Sequence, residues 1–323
     1  MRAASQLAGH DRLLSYGDAM TSSPEDPDVA DLSGVAALLQ MCCAAYLEIS
    51  ASDHWEPATG SRAAVDRIDL MGVDPHPSAP HRMAGHDLIR EQVASFLELA
   101  SLQLNSASAL METDFPLLAV ESLGRSALEA LCHVFALLHP DDNARQRLAK
   151  AYVLESQSAS FDEKIGALRS KDSKVSGRGD LDSVLARARA VFTEVHADSV
   201  RKDRIGVIYR FPGYTWLTND FINLLRSRGG LTMDADLVDP IYRYLSSSTH
   251  PALFRVEDLW VYHQIGSTSL RHQPIQMVNG VRMLVAMYVV SVWSVCDYFE
   301  WSKGPTEGIW DSLESLFPGS VTD

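Results

Sequence analysis

The stretch "YRYLSSSTHP" places a phenol (Tyr242), a guanidinium (Arg243), a hydroxyl (Ser246) and an imidazole (His250) just ahead of Pro251. Such groups support either acid–base chemistry or a purely structural hydrogen-bond network. On a helix that advances ~100° per residue, with Tyr242 at zero, Arg243 falls near ~100°, Ser246 near ~40° and His250 near ~80°. Asp239, one turn earlier, falls near ~60°. All five polar groups share one arc. Val238, Ile241 and Leu245 occupy the adjacent side, so the arc borders a core. Pro251 disfavours the helical region for His250, leaving its imidazole at a helix C-terminus, where the macrodipole favours the protonated form.

A second polar line runs through "PLLAVESLGRSALEALCHVFALLH", where Glu121, Arg125, Glu129 and His133 recur every four residues among Val120, Leu123, Leu128, Leu131 and Phe135. That spacing stacks the four side chains on one helix face. An unpaired interior charge is costly, so each needs a partner. The economical expectation is that this line faces the Asp239, Tyr242, Arg243, Ser246 and His250 arc as a polar seam between two helices. Such a seam performs chemistry or only fixes helix register, and the residue types alone leave both open.

Other groups add less. Arg201, Lys202, Arg204, Arg210, Arg226 and Arg228 are interleaved with Tyr209, Phe211, Tyr214 and Trp216. This is the composition of a single-strand nucleic-acid or nucleotide surface, with Arg204, Arg210, Tyr214 and Trp216 as candidate contacts, or of a loop whose aromatics cover the core while its arginines stay in water. His76, His81 and His86 lack ligand spacing, and Glu129-x-x-x-His133 is not the Glu-x-x-His pair of a carboxylate-bridged di-metal centre, so no metal and no cofactor is expected. His263, His272 and Asp297 are not singled out by spacing. Cys42, Cys43, Cys132 and Cys296 lie in apolar surroundings without a C-x-x-C pair and read as reduced core thiols of a cytoplasmic protein.

The elements that must carry these groups are helical. Residues 1–30, ending in "TSSPEDPDVAD", read as a mobile N-terminal segment. "LSGVAALLQMCCAAYLEIS" is apolar round most of its surface and is expected to be a central helix. "ASDHWEPATG…GVDPHPSAPHRM" is expected to be a long loop. Helices follow from Asp87, a candidate cap, from Pro116, and from Asp141 or Asp142. The result is an all-α multi-helix bundle with long loops over residues 31–302, interrupted by an insertion at about 169–233 and followed by a 303–323 tail with a short amphipathic helix. Met283 to Cys296, the most apolar run, is shorter than the ~20 residues that span a bilayer and reads as a buried helix; no membrane partner is expected. The net charge of −14 on 323 residues argues against nucleic-acid binding over the whole surface but leaves a local basic patch open.

From about Phe115 to Tyr298 the chain resembles a widespread family of uncharacterised bacterial helical proteins, through Arg125, Ser126, Glu129, Trp216, Tyr242, Arg243, Leu245, Ser246 and His250. The pair Arg243 and His250, separated by "YLSSST", is also similar to the signature of HEPN domains, although Tyr244 stands where those domains often carry a polar residue. Many HEPN domains are metal-independent ribonucleases of toxin or phage-defence systems, and they usually pair so that two Arg/His sets share one cleft. That resemblance implies RNA as partner, a homodimer, His250 as general acid/base and Arg243 as stabiliser of the phosphorane. Two other readings stand beside it: a small-molecule enzyme or ligand-binding protein with the seam lining a pocket, and a non-catalytic partner-binding scaffold.

Overall fold

The computed structural model describes residues 32–53, 55–74, 85–111, 117–165, 181–227, 235–247 and 275–318. These contain ten α-helices: α1 (Leu32–Asp53), α2 (Arg62–Met71), α3 (Gly85–Met111), α4 (Leu117–Leu137), α5 (Ala144–Ile165), α6 (Leu181–Val191), α7 (Tyr214–Ser227), α8 (Ala235–Ser247), α9 (Ile275–Phe299) and α10 (Glu307–Leu316). The protein is an all-α multi-helix bundle, and its centre is the antiparallel pair α3 and α4. α1 packs along α3, α9 crosses α4, and α8 fits between α4, α7 and α9.

α9 is the most enclosed helix. Met283, Val285, Ala286, Met287, Tyr288 and Val289 are all fully buried, which follows from an apolar surface with no polar stripe. The Tyr288 hydroxyl donates to the Cys42 carbonyl at 2.5 Å and lies 3.1 Å from Ser101 Oγ, joining α9 to α1 and α3. α1 is one-sided instead of central: Val35, Leu38, Leu39, Cys42, Ala45 and Ile49 face inward, while Leu47 is exposed.

Four further expectations are corrected. The supposed loop after α1 contains α2, started by the Ser61 side chain, which accepts from the Ala64 amide at 3.1 Å, and anchored by buried Ala63, Asp66 and Leu70. Asn143, not Asp141 or Asp142, caps α5: its Oδ1 accepts from the Gln146 amide and Gln146 Oε1 accepts from the Asn143 amide, each at 2.9 Å, a reciprocal capping box. Asp87 lies inside the first turn of α3, 3.2 Å from Arg90, not before it. The apolar run 283–296 sits within a helix of 25 residues. By length and composition, Asn279–Phe299 and Ser33–Ala51 could each cross a bilayer, but 78% of the first is buried in the bundle against 44% of the second.

Residues 200–210 form a three-stranded antiparallel meander, β1 (Val200–Arg201), β2 (Arg204–Ile205) and β3 (Tyr209–Arg210). Strands this short leave no period-two signal in the sequence. Val200 and Ile205 are buried against α6 and α5, so packing on the bundle holds the meander.

Candidate functional site

α4 and α8 meet where α4 has no side chain. A Cβ on Gly124 would come within 3.0 Å of Leu284 and 3.9 Å of Leu245, so this glycine lets α4, α8 and α9 converge. On either side of that contact the two polar lines are joined. Arg125 Nε donates to Glu129 Oε1 at 3.0 Å, and Arg125 Nη1 donates to the Ser246 carbonyl at 3.4 Å. The Tyr242 hydroxyl reaches the same Glu129 oxygen at 3.5 Å, and the Tyr244 hydroxyl donates to Glu121, whose side chain is buried. Burial, then the Glu129 carboxylate, pushes the Tyr242 phenol above its ordinary range, so it remains a donor at neutral pH.

The structure divides α8 sharply. Ile241, Tyr242 and Leu245 are buried, Tyr244 and Ser246 are half-buried, and Arg243 is exposed. Tyr244 was not among the residues singled out by the helical arc, yet it bonds to α4. Near the junction of the two helices a long phenol reaches across from the neighbouring side, a reach that angular spacing does not measure.

His133 ends the α4 line in a different environment. Its Nε2 lies 2.9 Å from the Tyr214 hydroxyl, and its ring packs against Phe96, Phe211 and Tyr214 with centroids 4.5, 5.9 and 5.3 Å away. Nδ1 has no partner among the described residues. Burial lowers its pKa to about 4, so the imidazole is neutral at pH 7. Immediately before it in the chain, Cys132 Sγ lies 3.4 Å from Thr218 Oγ1, and burial raises the thiol to about 12. Both groups belong to the α4–α7 packing; a neutral histidine stacked in aromatics neither attracts an anion nor carries a spare proton.

His250, His263, His272, His76 and His81 lie outside the described residues, as does the side chain of Asp239. Of the proposed contacts in the insertion, Arg210 and Trp216 are exposed, Arg204 is half-buried, and the Tyr214 hydroxyl is bonded to His133.

The most enclosed ionic cluster escaped sequence reasoning. Arg147 donates to both oxygens of Asp66 at 2.6 and 3.0 Å, and the two side chains are 2% and 1% exposed. The Tyr298 hydroxyl donates to Asp66 at 2.9 Å, while Arg147 and Arg62 both donate to the Asp142 carbonyl. Lys150 pairs with the Asp142 carboxylate; beside this, Asp74 accepts from Tyr152 and Arg187 at 2.9 and 2.8 Å. Asp66 lies 81 residues from Arg147 and 232 from Tyr298, and Asp74 lies 78 from Tyr152 and 113 from Arg187, so no spacing motif links these partners. Each charge has its counter-charge and directed donors, the pattern of a staple joining α2, α5, α6 and α9.

Compared with protein-family models, curated proteins and solved structures, the chain matches none, so the site is read from its own residues.

Proposed function

We propose that the chain is a metal-independent endoribonuclease of the kind found in HEPN domains, acting in a toxin or phage-defence system, with Arg243 and His250 as its reacting groups. The observation that carries this reading is the split along α8: Tyr242 and Tyr244 are spent on α4, while Arg243 between them is exposed. The seam then has a positioning role. It holds the helix that ends just before His250 against a rigid α4.

In this reading His250 takes the proton of a ribose 2′-hydroxyl, whose oxygen attacks the adjacent phosphorus. Arg243 neutralises the charge on the non-bridging oxygens of the phosphorane. The bond from phosphorus to the 5′-oxygen breaks, and that oxygen takes a proton from a second acid, supplied by the histidine of a paired copy. The products are a 2′,3′-cyclic phosphate and a 5′-hydroxyl.

The test is incubation of the purified chain with end-labelled RNA in excess EDTA. Cleavage leaving cyclic-phosphate ends is expected, and His250→Ala and Arg243→Ala should each lower the rate ~100-fold or more with an unchanged helical circular-dichroism spectrum. Intact RNA after exposure to the wild-type protein, or wild-type cleavage by His250→Ala, would overturn the proposal. A second reading, a scaffold without chemistry, is favoured by the saturation of Glu121, Arg125 and Glu129; it predicts no cleavage by any variant.

A further inference from the structure

The register of the meander places Arg201 opposite Arg204 and Arg204 opposite Arg210. Directly opposed residues lie on the same face of a sheet, with neighbouring strands ~4.8 Å apart. Three guanidinium side chains therefore stand in one cross-strand row. The alternate row, Val200, Ile205 and Tyr209, is the face that packs on the bundle, with Val200 and Ile205 1% and 0% exposed. Slipping any strand by one residue would exchange the two rows, so burial of the apolar face locks the arginines outward. The turn before β3 is equally constrained. Gly206 has φ 51°, and a Cβ there would come within 2.4 Å of Val195.

Burial explains why the outer row is polar, but not why it is cationic. Like charges directly opposite one another are destabilising, and any mixture of polar residues would have satisfied the fold at lower cost. Arg201 Nε donates to the Asp198 carbonyl at 3.1 Å, which leaves its charge uncompensated. Among the described residues no carboxylate pairs with Arg201, Arg204 or Arg210, in a chain that carries 42 acidic side chains against 28 Lys and Arg. Lys202, at the tip of the first turn, is exposed and adds a fourth cation. Where arginines elsewhere in this protein meet carboxylates, as at Arg145 and Glu194, the pair closes at 2.6 Å. The outer row is the local exception to an acidic molecule.

We infer that this row, Arg201, Arg204 and Arg210, binds the phosphodiester backbone of single-stranded RNA. Adjacent guanidiniums spaced by the strand separation present a ladder of planar donors to successive phosphate oxygens, and bound phosphate removes the mutual repulsion of the row. Three residues separate α7 from β3, and α7 carries Trp216, a residue 54% exposed whose indole suits base stacking. The choice of RNA rests on the ribonuclease reading above; the cationic row itself does not.

The experiment is fluorescence anisotropy of the full chain with a labelled oligouridine 12-mer across a salt series, in EDTA. Arg204→Gln/Arg210→Gln should weaken binding at least tenfold and reduce the slope of log K against log salt by ~0.7 for each phosphate that the protein no longer neutralises. Arg204→Lys/Arg210→Lys should restore most of the salt slope. The Gln variant should melt no lower than the wild type, since it relieves repulsion, so loss of fold does not mimic the result. Wild-type protein that ignores the oligonucleotide, or Gln variants that bind as the wild type does, would overturn the inference. Stronger competition by polyglutamate than by unlabelled oligouridine would also overturn it, in favour of an acidic protein surface. RNA bound through the row by a chain that never cleaves it would sink the ribonuclease reading and leave this one standing.

Discussion

At the scale of single residues, polar groups inside this bundle are settled by what meets them in space. Arg147 and Asp66 are almost completely enclosed and depend on each other. Arg147→Met should therefore cost about 3–5 kcal/mol in urea unfolding, because it leaves a buried carboxylate with only the Tyr298 hydroxyl and the looser Arg62 ion pair at 3.6 Å. Adding Asp66→Asn should recover a large part of that loss. A double variant as unstable as the sum of the two single ones would show that the pair is not energetically coupled. His133 illustrates the same rule from the other side. Its place in the sequence, four residues after Glu129, suits an acid–base group, but Phe96, Phe211 and Tyr214 make it a neutral packing residue.

At the scale of elements, helix identity follows from apolar periodicity, whereas helix contact follows from a few small residues and caps. Periodicity from Asp87 onward is enough to expect α3, α4 and α5, and the one-sided polar lines of α4 and α8 are enough to expect that they face each other. The hydrogen bonds from Arg125 to Ser246 and from Tyr242 to Glu129 are that contact. Gly124 determines how close it is. Gly124→Ile should destabilise the protein by about 1–3 kcal/mol through overpacking against Leu284 and Leu245 and raise the protease sensitivity of α8, as limited proteolysis with mass spectrometry would reveal. Unchanged cleavage sites and stability would mean that α8 tolerates displacement from α4. α2 was missed because its polar, proline-flanked surroundings hide ten residues of helix held by Ser61 and by buried Asp66.

At the scale of the whole molecule, buried histidines couple folding to pH. Burial depresses both His133, to about 4, and His86 below their ordinary range. For such a group the unfolded chain binds the proton more readily than the folded one, so its stabilising effect is complete above pH 6.5 and is lost as pH falls towards the folded pKa. Each histidine should tilt the unfolding free energy by up to ~1.4 kcal/mol per pH unit where it titrates. The urea midpoint should fall between pH 7 and pH 4.5, and His133→Gln should flatten part of that fall while His86 retains the rest. Identical pH slopes in wild type and His133→Gln would contradict the assignment.

Composition and periodicity by themselves determined the all-α class, the burial of Met283 to Cys296 and the pairing of two polar helix faces, because each depends on side-chain direction within one helix. Tertiary structure alone decided the rest. It turned Tyr244 to Glu121 and His133 to Tyr214, stapled Asp66 to Arg147 across 81 positions, and aligned Arg201, Arg204 and Arg210 across three strands. The physical reason is common to all four. Charges and hydrogen-bond donors act over a few ångströms of space, and separation along the chain carries no record of which distant groups burial will bring within that reach.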